Sequence, residues 1–412
     1  MRKIMASLDI GSDSIKLVVG ELFKNKVIIL AVAEEPSYGV KDALVVNPDE
    51  LIKPLEKVIR KCEEIIGLEI HQLVLTVPSK EAEFSVVTGT INIKNEGSII
   101  TGDDVIKVLK VACKDQVSEN KELISIMPTS FSLDDNRVVR DPKGLTSATL
   151  SVRGVLITEP KDNLYKILSC LEKLNVDVLD IAVGAIGDYF EFKTKEDNKN
   201  VGIIVNLGAE TSTISVFNKG VLTNTQVIDL GGKNIDNDIS FIYKIPISVS
   251  HDLKHDFALA HNKEANKEDI RVVKNKSNED IRINQDEISQ VVKCRLEEIL
   301  KIIQKQINIL TKKEISYIIF TGGLTEIRDF KLILEEIFGD GAIRGRMSEI
   351  GVRHNKYSSC VGMIKYFAEK AKLKDKDFSI FSIEEQQVLS GTSSESGKES
   401  TIGKLFGYFF SN

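Results

Sequence analysis

The sequence predicts an α/β chain folded as two domains that face each other across a small-molecule cleft, and three observations carry that prediction. Near the start, the apolar runs Ile4–Ile10 and Ile15–Leu22 flank a turn of small residues, Gly11-Ser12-Asp13-Ser14. Halfway along the chain Val201–Phe217 repeats the order strand, polar residue, apolar residue, glycine, small polar turn, strand, with Gly208-Ala209-Glu210-Thr211 as the turn. Between and after the two units, strand-like and helix-like segments alternate, as in a layered α/β fold. A turn of small residues lets backbone N–H groups approach an anion closely. Asp9 at the end of the first run is a carboxylate suited to a hydrated magnesium ion, and Lys16 is an ammonium suited to phosphate. The first unit reads as one wall of a nucleotide site and its echo as the other.

At 412 residues, with 42% hydrophobic and 28% charged residues, the chain suits two domains of ordinary size. A net charge of −6 with interspersed signs offers no basic field and excludes a dedicated nucleic-acid binder. The five cysteines, Cys62, Cys113, Cys170, Cys294 and Cys360, are scattered and form no metal-ligand spacing, the pattern of reduced cytosolic thiols rather than of a zinc site. No apolar run reaches the roughly 18 residues of a membrane span, so membrane contact is expected to be peripheral.

After the first unit, Val27–Ala33 reads as a strand and Asn47-Pro48 opens a helix with Leu51, Leu55, Val58, Ile59, Cys62, Ile65 and Ile66 on one face. Pro54 predicts a later start or a kink there, and Gly67 the end. Gln72–Val77 returns to a strand. From residue 79 the texture changes: strands Ala82–Ile93 and Thr149–Ile157 flank a helix Asp103–Cys113, capped by Thr101 or Asp103, and a loop Arg140–Leu145, together a small inserted unit. Asp162–Leu174 reads as a helix, Val176–Ala182 as a strand, and Val183–Phe190 as a close-packed helix start rich in small residues. Gly231 and Gly232 precede a helix whose amino terminus faces the same place as the turns. His261–Gln285 is polar, with a short strand at Ile270–Val273. Ile288, Val292, Leu296, Ile299, Ile303, Ile307 and Leu310 then make one apolar helical stripe, whose outer face carries Lys293 and Arg295, either a solvated basic face or a receptor for an acidic peptide. The strand Ile315–Phe320 ends in Thr321-Gly322-Gly323-Leu324, a recurrent nucleotide contact.

These glycine-bearing turns, in this order, resemble those of the actin and heat-shock-chaperone ATPase superfamily. The inserted unit, with Ile126-Met127-Pro128 and Arg140-Asp141-Pro142-Lys143-Gly144, resembles the distinctive subdomain of its bacterial cell-division member, FtsA. The resemblance implies an actin-like ATPase fold of two facing α/β domains with an FtsA-type inserted subdomain. The first domain would span 1–78 and 159–185, the insert 79–158, and the second domain 186–369 with an upper part at about 233–310. It implies ATP and Mg2+ as ligands: Gly11, Ser12, Ser14 and Lys16 on the phosphates, with Gly208, Ala209 and Thr211 opposite. Asp9 would organise magnesium through water, and Gly232, Lys254, Gly322, Gly323 and Leu324 would surround the adenosine. The chain departs from the family where Asn206 replaces an Asp, Glu210 stands in a Gly-Gly-Gly-Thr-like turn, and His251 replaces a Glu. Asn206 keeps an oxygen but loses the charge, so the chain is at most a slow ATPase, while His251 reads as a solvated helix residue. The resemblance further implies self-association into an actin-like filament, binding of the carboxy-terminal peptide of FtsZ, recruitment of later septal proteins, and a place at the cytoplasmic face of the membrane at the division septum. The rivals are a small-molecule kinase of the same superfamily and an actin-like scaffold that no longer uses nucleotide.

Residues 370–400 are linker-like in composition, ending in a Ser/Gly-rich stretch. Beyond it Ile402, Leu405, Phe406, Phe409 and Phe410 share one helical face. A dozen residues make a helix of roughly 20 Å, too short to cross a bilayer but able to lie on one. One such tail binds weakly, and several on a polymer bind firmly.

Overall fold

The computed structural model describes residues 3–24, 26–94, 98–194, 200–373, 378–382, 385–386 and 389. Two five-stranded sheets form its frame, and they share one topology. In the first, the strands run in the order Asp177–Val183, Gln72–Val77, Lys3–Ile10, Ser14–Phe23, Lys26–Pro36. In the second the order, read from the same side, is Ala342–Arg344, Tyr317–Thr321, Val201–Leu207, Ser212–Asn218, Val221–Ile228. Each places an antiparallel three-strand meander beside two parallel strands, and each central strand is apolar on both faces, as a sheet covered by helices on both sides requires.

The helix predicted after Asn47 runs unbroken from Pro48 to Ile66, with Pro54 inside it and Gly67 closing it in the left-handed region at φ 75°. Proline removes a single backbone hydrogen bond, and burial of Leu51, Leu55, Val58 and Cys62 on the sheet outweighs that loss. The insert is a four-stranded sheet in the order Glu83–Asn92, Thr149–Pro160, Lys121–Leu133, Val138–Val139, crossed by the helix Gly102–Cys113. Thr101 caps that helix in a reciprocal capping box with Asp104, and Val105, Val108, Leu109 and Ala112 bury a small core of their own. In the second domain the polar segment expected to be a loop with one short strand is a hairpin, Ile270–Lys274 with Asp280–Asn284, leading into the helix Gln285–Leu310.

Two helices pass between the sheets, Gly184–Phe192 and Ser358–Leu373. A Cβ on Gly362 would collide with the carbonyl of Gly187, and one on Gly187 with that of Ser359, so glycine at both positions lets the backbones touch. Sequence reading places Ser358–Leu373 up to residue 369 in the second domain. That helix packs on strands of the first sheet, and its buried Cys360, Val361, Met363, Ile364 and Phe367 belong to a core cluster that also takes in Ile204, Phe217 and Ile319 of the second. The expected linker from residue 370 also begins later than its composition implies. Phe381 is buried, Phe378 stacks edge-on against Phe367, and the Ile380 N–H donates to the carbonyl of Ile4 at 2.9 Å. The amphipathic segment 401–412, with Ile402, Leu405, Phe406, Phe409 and Phe410, lies outside the described residues. Among the described residues no helix is long and apolar enough to cross a membrane.

Candidate functional site

The two meanders present their first turns to each other. In each, a glycine N–H donates back to the residue three positions on: Gly11 to Ser14 O at 3.1 Å, Gly208 to Thr211 O at 2.9 Å. Register sets the equivalences. Asp9 pairs with Lys16 across the first meander, and Asn206 pairs with Thr213 across the second. Along the parallel neighbours Asp9 lies beside Thr76 and Asn206 beside Thr321. Between the turns lies a cleft of ≈ 500 Å³. Asp9, Gly11, Ser12, Ser14, Lys16, Asn206, Gly208, Ala209, Thr211, Gly232, Lys254, Gly322, Gly323 and Leu324 all line it, so residues from both ends of the chain meet at one cleft.

On the first wall the Lys16 ammonium donates to Asp9 Oδ2 at 3.1 Å and to the Ser14 carbonyl at 3.2 Å, while Thr76 Oγ1 donates to Asp9 Oδ1 at 2.8 Å. Burial is the largest single influence and works to strip the Lys16 proton, but the charge and hydrogen bond of Asp9, together with Cys360 and Glu34, outweigh it and hold the pKa above the ordinary lysine value. The result is a fixed cation at the turn. Each Asp9 oxygen accepts one such bond and keeps lone-pair capacity for water. Among the described residues there is no cluster of three or more His, Cys, Asp or Glu side chains able to cage a metal.

The second wall is wired differently. Asn206 Nδ2 donates to Asp188 Oδ2 at 2.7 Å, and its Oδ1 lies against Gly322, where φ is +93° and a Cβ would meet that oxygen. The amide nitrogen is thus turned to a carboxylate that sequence reading passed over, while the amide oxygen stays on the cleft side. Asp188 also accepts from Ser358 Oγ at 2.5 Å and Ser359 Oγ at 2.8 Å, and burial still raises its pKa to about 6. One acid in an otherwise small and apolar helix start was the available signal for it. Glu210 accepts from the backbone N–H of Asp42 at 2.6 Å and from Lys233 Nζ at 2.9 Å.

At the far end of the cleft Lys254 Nζ sits 2.7 Å from Asp236 Oδ1 and donates to the Gly232 carbonyl at 3.1 Å. His251, expected to be a solvated residue, lines the cleft, and its Nδ1 is 3.3 Å from Asp236 Oδ2. That hydrogen bond raises the His251 pKa, whereas burial pushes neighbouring His255 down to about 3 and keeps it neutral. The two rings, 4.6 Å apart and tilted by 56° to each other, line this end of the cleft with buried Lys254.

Lys293 and Arg295 are not part of this site. Lys293 pairs with Glu336 at 3.1 Å and Glu297 at 3.6 Å. Arg295 grips Asp238 with two bonds of 2.6 and 2.9 Å and also reaches Glu298. Both cations are already neutralised by the protein's own carboxylates, which argues against their reservation for an acidic peptide.

The model of cell division protein FtsA matches residues 203–362, and that of the SHS2 domain inserted in FtsA matches residues 80–158. The cell division protein FtsA of Bacillus subtilis is 26% identical over 375 residues, covering 90% of this chain and 85% of the relative. That of Enterococcus faecalis is 25% identical, covering 88% of this chain and 83% of the relative. Among solved structures, the PilM-PilN type IV pilus biogenesis complex aligns with a TM-score of 0.60 at 11% identity over 87% of this chain and 97% of that one. MreB5 of Spiroplasma citri bound to ADP aligns with a TM-score of 0.53 at 12% identity over 90% and 98%. These structures establish the actin-like fold. With both FtsA models matched and the relatives aligned over most of the chain, the protein belongs to the FtsA family of cell-division proteins.

Proposed function

We propose that this cell-division protein binds magnesium-ATP in the cleft, self-associates into an actin-like filament, tethers FtsZ filaments to the cytoplasmic face of the membrane at the septum, and recruits later septal proteins. The observation that carries the nucleotide part is the convergence of two equivalent glycine turns and the Lys16 ammonium on one cleft. Turn amides and an ammonium are the donors a polyphosphate needs, and the wall of His251, His255 and Leu324 suits a base. Bound magnesium would supply charge neutralisation between phosphates, with Asp9 positioned to hold its water. Asp188, buried and with its pKa raised to about 6, is the carboxylate best placed to orient a water at the cleft. Its commitment to two serines and Asn206 supports slow turnover at most. The apolar face at Ile402, Leu405, Phe406, Phe409 and Phe410 is the membrane anchor in this reading.

Liposome co-sedimentation of the full chain and a form ending at Lys398, each with and without magnesium-ATP, tests these parts together. Pelleting of the full chain alone, increased by ATP, is expected. Tail dependence without ATP dependence would favour a scaffold that no longer uses nucleotide, a reading to which the Asn206–Asp188 bond lends weight. Equal pelleting of both forms would remove the membrane assignment.

A further inference from the structure

The Glu210 carboxylate joins the two domains at the mouth of the cleft. Its Oε2 accepts from the Asp42 N–H at 2.6 Å, in the first domain, and its Oε1 from Lys233 Nζ at 2.9 Å, in the second. Lys233 Nζ also donates to the carbonyl of Ser12 at 3.2 Å, and the neighbouring Ala43 N–H donates to Ser12 Oγ at 2.8 Å. These contacts close a ring through both phosphate-facing turns. Asp42 and Ala43 are the two central residues of a tight hairpin, Val40–Lys41 with Leu44–Val45, and both have positive φ, 48° and 67°. That mirror-image turn needs φ > 0 twice and normally takes Asn-Gly. Here two side-chain-bearing residues adopt it and aim successive amides into the cleft mouth.

A backbone N–H and an ammonium converging on one point make an anion receptor. We propose that the Asp42 amide and Lys233 form a subsite for the terminal phosphate of a polyphosphate, and that Glu210 is its internal occupant, a latch that ligand must displace. This rests on the nucleotide reading above. Carboxylate and phosphate oxygens compete for the same donors, and a retained Glu210 charge repels the incoming phosphate. A purely structural ion pair would behave alike whichever end were removed. A latch does not: deleting the carboxylate frees the receptor, while deleting the ammonium damages it.

The test uses the full chain as wild type, Glu210→Gln and Lys233→Ala, with magnesium-ATP titrated by calorimetry and amide exchange at Asp42 followed without ligand. Exchange at Asp42 is expected to quicken about ten-fold in Glu210→Gln, because the charge-assisted bond is weakened. ATP is expected to bind about five-fold tighter to Glu210→Gln and at least five-fold weaker to Lys233→Ala. Weaker binding by both variants would overturn the latch and leave Glu210 as a positioning residue. Unchanged Asp42 exchange in Glu210→Gln would overturn it as well. Should ATP bind to none of the three proteins, the nucleotide reading falls and the phosphate subsite with it, whereas quickened exchange in Glu210→Gln would still establish the interdomain bridge.

Discussion

The turn Gly11–Ser14 and its counterpart Gly208–Thr211 share strand order, register and a backbone hydrogen bond, yet their side chains do opposite things. On the first, Lys16 and Thr76 both bond to Asp9 within one sheet, and the facing domain reaches the turn through the Ser12 backbone carbonyl, which accepts from Lys233. The second is wired outwards, with Asn206 bonded to Asp188 on the crossing helix and Glu210 bonded to Asp42 in the facing domain. A duplicated backbone thus supplies one wall that holds charge in place and another whose side chains are tied to partners outside their own sheet. Backbone geometry repeats because the meander repeats. The chemistry differs because side-chain partners come from whatever each sheet happens to face.

The largest expected effect comes from breaking the first wall. Lys16→Ala removes the buried half of an ion pair and leaves Asp9 beside a void; unfolding in urea should show a loss of ~3 kcal/mol. Isothermal titration should show ATP affinity lowered by about 100-fold, since a charge-assisted contact of roughly 3 kcal/mol disappears. Unchanged affinity would mean the phosphates do not sit on this turn.

Asn206→Asp makes the second wall resemble the first and should misfire. It sets a second carboxylate at the 2.7 Å contact to Asp188, and a loss of about 2 kcal/mol at neutral pH is expected. Burial already raises Asp188 to about 6, so the native state binds more protons than the unfolded one between about 4 and that value. Stability falls as pH rises through that window, and the variant's deficit should shrink on acidification towards pH ~5. A deficit independent of pH would disprove like-charge repulsion as its cause.

The insert interrupts only the first half, and Glu159 marks where it rejoins. This carboxyl is 4% exposed, and burial, with Glu81 nearby, raises its pKa to about 8. Its native pKa exceeds the unfolded one, so it stabilises least at high pH. Between pH 7 and 9 the protein should lose on the order of 1 kcal/mol that Glu159→Gln does not lose. Parallel pH profiles for the two would place the titration elsewhere.

The smallest effects belong to the helix face outside both turns. Lys293→Ala and Arg295→Ala should each cost about 0.5 kcal/mol in thermal unfolding, the ordinary worth of partly exposed ion pairs. Both should leave ATP binding unchanged.

Much of the frame was legible because it follows from local rules. The repeated strand-turn-strand unit, the stripe from Ile288 to Leu310 and a cap at Thr101 or Asp103 depend on periodicity and neighbouring residues alone; the stripe is buried as far as Ile307, and Thr101 is the residue that caps. The cleft-lining glycines were legible too, since close backbone approach demands them at a turn. Other features depend on residues brought together from afar, and no spacing announces them. Asp188 acquires its setting from serines 170 positions away, and His251 from the fold of its own helix against Asp236. Lys293 and Arg295 looked available because Glu336 and Asp238 lie on other helices.

Sequence by itself therefore determined the two-domain α/β design, the insert and the residues that would face a cleft, because hydrophobic period and glycine placement act over a few residues. Tertiary structure alone decided which charges are neutralised, which amides point into the cleft and that Ser358–Leu373 packs on the first sheet. Those outcomes turn on distances between groups far apart in the chain, and electrostatic and hydrogen-bond energies change within a few ångströms.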